Sequence, residues 1–212
     1  ATGTAAMNSP LNNVHNYFYA IYESRYVSGV VAGMKLQQMI DEGTITADQA
    51  KIGYVGAFPF AEVISGFTSF FLGARSMCPS ATMEVRYTNS WADMALEKET
   101  AEALIANGCV LISQHADTTG APSACQAAGV EGIQIWGANG ETKALEYIEQ
   151  GIITGTVYTN CYDQGATALR LMMMYLGSDI DISGWDATPV VKMPPITVTK
   201  ENVDSITADM RW

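Results

Sequence analysis

From about Asn13 to Glu42, large apolar side chains return every fourth residue, at Phe18, Tyr22, Tyr26, Val30 and Met34. Residues four apart share one face of a helix, so the spacing predicts a long amphipathic helix. Gly29 and Gly33 are also four apart and predict a shallow groove on a neighbouring face, where another element can approach closely. Gly43 is placed to end the helix.

From Lys51 the rhythm changes to short apolar runs alternating with helix-like ones. KIGYVGAF predicts a strand and Ile64 to Ser76 a helix; TMEVRYTN predicts the next strand and LEKETAEALIANG a helix closed by Gly108. CVLISQHA with APSACQAAG, and GIQIWGAN with ETKALEYIEQG, repeat the pair twice more. ITGTVYTN is a further strand, followed by the helical DQGATALRLMMMYLG, in which Met172 to Met174 are expected to fill core. A turn-rich SDIDISGWDATP then leads into VVKMPPITVT. Strands that are apolar nearly throughout, separated by helices of ~10 to 15 residues, indicate a parallel sheet covered on both faces. The expected fold class is α/β, doubly wound.

Composition narrows the picture. Of 212 residues, 48% are hydrophobic and only 16% charged, enough to bury a core and too few charges for a disordered chain. Acidic residues outnumber basic ones 22 to 11 and the basic ones are scattered, so no face is built for nucleic-acid phosphates. No apolar run reaches the ~18 residues of a membrane span, and the opening ATGTAAMNSPLNN lacks the basic start and apolar stretch of a signal peptide. Cys78, Cys109, Cys125 and Cys161 form no C-x-x-C pair, and no metal site is expected. Cys109 and Cys125 lie among apolar or small residues and are expected to be buried thiols, whereas a disulfide at Cys78 stays open.

The motifs of common enzyme sites are missing. KIGYVGAF offers only Gly53 and Gly56, the wrong spacing for a dinucleotide turn; there is no phosphate loop and no G-x-S-x-G elbow. His15 and His115 are the only histidines, too little material for a triad or a metal centre. No catalytic residue and no cofactor is therefore assigned. Polar and aromatic residues do gather at the carboxyl ends of the expected strands, where open α/β sheets bind ligands. They are Phe58; Asn89 with Trp91; His115 with Asp117; Asn139; and Tyr158 with Asn160. Aromatic rings stack on planar rings or sugar faces, and carboxylates and amides fix orientation, so this lining suits a small polar ligand. Each has a plainer alternative: Asp117 and Asn139 as helix caps, His115 as a structural residue, Phe58 as an anchor for the next helix. Trp91 stands out because NSWAD is a polar loop with no packing reason for a large ring.

The runs YESRYVSGVVAGMK, KIGYVGAFPFAEVISGFTSFFLGARS, YTNSWADMALEKETAEALIANG and LISQHADTTGAP resemble, in order and spacing, the basic membrane protein (BMP) family of ABC-transporter substrate-binding lipoproteins. The resemblance covers Asn13 to Gly129. It implies the type I periplasmic-binding fold, two α/β lobes closing over a ligand at a hinge, and ligands that are purine nucleosides or free purine bases. It implies Trp91, Asn89 and Asp117 as ligand contacts, with Phe58 in the family's FP segment; Tyr22 and Glu23 match its YE-x-R stretch, with their role left open. Beyond Gly129 the chain is more similar to sugar-binding type I proteins, in which the positions of Asn139 and Tyr158 touch the ligand. On this basis residues 1–50 are expected to end an amino-terminal lobe whose first part precedes Ala1, 51–154 to form the carboxyl-terminal lobe, 155–185 to return to the first lobe, and 186–212 to cross over once more. The function implied is extracytoplasmic binding of a purine base or nucleoside for delivery to an ABC permease, with membrane attachment only through a lipid anchor absent from this chain. Alternatives are a sugar receptor, the effector-binding domain of a transcription regulator, and an enzyme on a Rossmann-like sheet.

Overall fold

The computed structural model describes residues 10–11, 20–129, 136–140, 142–151, 153–177 and 196–211. The order is α1 (Ile21–Asp41), β1 (Lys51–Gly56), α2 (Ala61–Met77), β2 (Thr82–Tyr87), α3 (Met94–Ala106), β3 (Leu111–His115), α4 (Gly120–Ala127), β4 (Trp136–Asn139), α5 (Thr142–Glu149), β5 (Gly155–Tyr158), α6 (Cys161–Gly177) and β6 (Ile196–Thr199). The expected βα alternation is present from β1 to α6. The start of the expected first helix, before residue 20, and the SDIDISGWDATP link lie outside the described residues.

Strands β2, β1 and β3 form a parallel sheet in that order, with Gly56 in register with both Tyr87 and His115. Alternation along β1 sends its side chains to two different cores. Ile52 and Tyr54 pack with Ala32 and Leu36 of α1 and Phe70 and Ala74 of α2. Val55 packs on the other face with Ala101 and Leu104 of α3 and Ala121 and Ala124 of α4. A Cβ on Gly53 would meet Leu104 and Cys109 on that second face. The result is a three-layer sandwich, with α1 and α2 on one side and α3 and α4 on the other. Cys78, Cys109 and Cys125 are buried free thiols, so Cys78 forms no disulfide.

The apolar stripe of α1 is not its buried face. Tyr22, Tyr26 and Met34 are 46%, 42% and 54% exposed, whereas Arg25, Gly29, Ala32, Gly33 and Leu36 are buried. The reason is backbone proximity: a Cβ on Gly29 would lie 1.9 Å from the Phe70 carbonyl oxygen, and one on Gly33 would lie 2.2 Å from that of Ala74. Gly73 of α2 meets the Tyr26 carbonyl oxygen at 2.1 Å in the same way. Small residues let the two helices touch main chain to main chain, and that contact outcompetes burial of the larger rings. This packing crosses the lobe boundary expected near residue 50.

Strands β4, β5 and β6 form a second sheet, in which β4 and β5 are parallel and β6 runs antiparallel to β5. The pairing of β4 with β5 likewise crosses the boundary expected at residue 154. Its core joins Leu145, Ile148, Ile153, Tyr158, Val198, Val203 and Ile206. On α6, Met172, Met173 and Met174 are 55%, 63% and 55% exposed, so they are not core filler: the described elements leave all three uncovered.

Candidate functional site

The carboxyl ends of β2, β1 and β3 are neighbours, and the loops leaving them converge. After β1, the Phe58 and Phe60 rings stack on each other with centroids 5.0 Å apart and planes 10° from parallel. After β2, the chain turns at Asn89, whose φ of 56° is the one positive value outside glycine among the described residues. Asparagine tolerates this left-handed conformation better than most side chains. Thr88 Oγ1 donates to the Ser90 carbonyl at 2.8 Å and tightens the same turn. Trp91 is thereby brought to 5.9 Å from the Phe58 ring and 6.2 Å from the His115 ring at the end of β3. The Asp117 main-chain N–H donates to the Trp91 carbonyl at 2.6 Å and links the second and third loops.

Beneath this aromatic face lies a polar layer. His115 is buried, with its Nε2 3.8 Å from a carboxylate oxygen of Glu62. Burial lowers its proton affinity, the Arg25 cation lowers it further, and Glu62 opposes both. Asp117 keeps an exposed surface, yet loss of hydration and the Glu62 charge raise its pKa, opposed by Arg25. Glu97 of α3 is fully buried and holds the same loop from behind, accepting from Thr118 N–H at 3.2 Å and Thr118 Oγ1 at 2.6 Å. Its burial raises its pKa. Gln114 Nε2 also ties this loop, donating to the carbonyls of Ala116 and Thr118.

Phe58, Trp91 and Asp117 are therefore brought together, while Asn89 contributes its backbone turn and carries an exposed side chain. Tyr22 is exposed on α1. The contacts of Gly29 with Phe70 and of Gly33 with Ala74 show that α1 and α2 run in the same direction, which puts Tyr22 at the site end of the pair. Asn139 ends β4, in register with Tyr158 in the second sheet, and its side chain lies outside the described residues. Tyr158 is 1% exposed in the second core, its hydroxyl donating to the Met210 carbonyl. It presents no surface to a ligand. Tyr158→Phe is expected to cost about 1 kcal/mol of stability, the worth of one neutral hydrogen bond, and to leave ligand affinity unchanged; urea melts and titration check the two halves. Asn160 caps α6, accepting from the Asp163 N–H at 3.1 Å.

Three site residues escaped the sequence reasoning. Phe60 was visible as the second ring of GAFPF. Glu62 and Arg25 sit inside helical segments, where periodicity does not mark a charge as facing a site; the signals for Arg25 are its place as the arginine of the YE-x-R stretch and its four-residue spacing from Gly29 on the glycine face.

The arrangement offers an aromatic surface for a planar ring, with carboxylates at one edge to accept hydrogen bonds. The family model for PnrA-like ABC-transporter substrate-binding proteins (Bmp) matches residues 3–169, through this whole face and well past Gly129, where the resemblance was expected to weaken. The chain belongs to the Bmp family. Among curated relatives of this Bmp protein, one from Haloferax volcanii named as an ABC-transporter glucose-binding protein is 40% identical over 127 residues, 60% of this chain and 29% of that one. A purine-binding protein of Brucella abortus is 37% identical over 126 residues, 59% of this chain and 32% of that one. Each match spans about a third of the relative's length or less. Of solved structures, a sugar-binding protein of a Bacillus halodurans ABC transporter superposes with a TM-score of 0.68 at 17% identity, over 96% of this chain and 69% of that one. That likeness carries the fold, the type I periplasmic-binding architecture.

Proposed function

We propose that this Bmp chain carries the ligand-binding face of an extracytoplasmic receptor that captures a purine base or nucleoside and delivers it to an ABC permease. The observation that carries the proposal is the convergence of Phe58, Phe60 and Trp91 with Asp117 at the ends of three adjacent parallel strands. Stacking of a planar base on such rings is worth about 1 to 3 kcal/mol per base. Asp117 and Glu62 would accept hydrogen bonds from ring N–H, exocyclic amino or ribose hydroxyl groups. A second lobe closing over this face would exclude water and present a new surface to the permease. Extracytoplasmic location is part of the proposal and rests on the family match; none of the described helices is long and apolar enough to cross a membrane.

A sugar ligand is the competing identity, favoured by the name of the Haloferax relative and by the ability of the same rings to stack on a sugar face. Calorimetric titration with adenine, adenosine, guanosine, ribose and galactose separates the two. The expected result is heat of binding with one or more of the purine ligands and none with the free sugars. Binding of the sugars alone overturns the purine assignment.

A further inference from the structure

Arg25 is only 7% exposed, and no described carboxylate lies within salt-bridge distance of it. A lone buried cation is costly to keep, so its neighbours show what it is kept for. Its Nη1 donates to the main-chain carbonyl of Gln114 at 2.8 Å, one residue before His115. The Gln114 side chain in turn holds the carbonyls of Ala116 and Thr118. Between those two residues stands Asp117, whose N–H is bonded to Trp91. A chain of hydrogen bonds thus runs from α1 through β3 into the loop that bears the carboxylate and braces the indole.

The surroundings of Arg25 are also unusual. Arg25 Nε, Tyr54 Oη, Gln114 Oε1 and His115 Nδ1 are all buried without a hydrogen-bond partner among the described residues. Gly66 of α2 packs against the imidazole so closely that a Cβ would lie 2.7 Å from His115 Nδ1 and 3.7 Å from Tyr54 Oη. One glycine on α2 therefore admits the ring, and one arginine on α1 anchors the strand end beside it.

We propose that Arg25 is a positioning residue for the binding face, setting the 114–118 segment and through it Asp117 and Trp91, while its fixed charge faces His115. The inference rests on the binding face proposed above. The charged groups that bear on His115 are Arg25 from α1 and Glu62 from α2; Tyr54 of β1 shares its Gly66 neighbour, Asp117 follows two residues on and feels the same Arg25 and Glu62 charges, and Glu97 of α3 bonds to Thr118. Removal of the Arg25 cation should raise the proton affinity of His115, because a positive neighbour disfavours the imidazolium.

The chain has two histidines, so carbon-13 NMR of labelled histidine reads His115 directly once His15→Gln has assigned the other signal. Trp91 emission is the part of the tryptophan fluorescence lost in Trp91→Phe. For Arg25→Met, the His115 midpoint is expected to move up, Trp91 emission to change, and adenine affinity to fall about tenfold. Arg25→Lys keeps the charge and loses the planar fork, so it should hold the midpoint near the parent value while still altering Trp91 emission. An unchanged His115 midpoint with unchanged Trp91 emission in a folded Arg25→Met overturns the proposal. If Arg25→Met does not fold, unaltered emission in Arg25→Lys overturns it instead. Failure of the unsubstituted protein to bind any of the five titrated ligands would refute the proposed function, and the two spectroscopic readouts would still decide the role of Arg25.

Discussion

Trp91→Ala is expected to weaken purine binding by about 1 to 3 kcal/mol, roughly fivefold to 150-fold in Kd. The indole is half-buried and braced on two sides, by Phe58 at 5.9 Å and by His115 at 6.2 Å. Its main chain is pinned by Asp117. A ring so fixed stacks on a ligand with little ordering cost, which is why its loss should fall mainly on affinity. Truncation also uncovers Phe58, lets water reach His115 and the polar layer it belongs to, and weakens the attraction between Asp117 and the ligand. Trp91→Phe is the control: it keeps an aromatic face and should retain most of the binding. Calorimetry on both variants gives the comparison, with thermal melts to show that the fold survives. Equal affinity in the alanine variant and the parent would mean that Trp91 walls the loop without touching ligand.

Gly33→Ala is expected to destabilise the protein by about 3 kcal/mol, a large effect for one methyl group. The added Cβ would fall 2.2 Å from the Ala74 carbonyl oxygen and 2.9 Å from the Ala74 Cα. These are backbone atoms of a helix and cannot rotate away. The helices must separate, and the contacts of Leu36, Phe70 and Ala74 in the same core are stretched with them. Gly165 of α6 supplies the opposite sign. A Cβ there meets nothing within 4 Å among the described residues, so Gly165→Ala should stabilise by about 0.5 to 1 kcal/mol through helix propensity and a less flexible unfolded chain. Urea unfolding of the two variants beside the parent protein measures both. If the two substitutions behave alike, close approach of α1 and α2 is not what holds this layer together.

The positions proposed to bind ligand were legible in the sequence where they follow a strand. Phe58 and Trp91 stand out because large rings sit in polar or proline-containing loops, and Asp117 because it follows an apolar run by two residues. In a parallel sheet all such loops leave from the same end, so their convergence follows from strand assignment alone. Tyr158 satisfied the same pattern and is buried instead. Tyr158 occupies the second core because β6 pairs with β5 and the chain after it returns Met210 to the tyrosine hydroxyl. A residue next to a strand end becomes site or core according to what covers it, and that cover comes from elements distant in sequence.

Periodicity and turn residues close together in the chain suffice for the alternation of strands and helices, the parallel core sheet covered on both faces, and the aromatic loops at one end of it. Which face of α1 is buried, that Met172 to Met174 stay exposed, and that Arg25 and Glu62 lie under the aromatic face follow from contacts between elements far apart in the chain. For α1 the physical reason is steric: a helix offers several faces of similar hydrophobicity, and the one buried here is the one that lets another backbone approach closely, through Gly29 and Gly33 of α1 and Gly73 of α2.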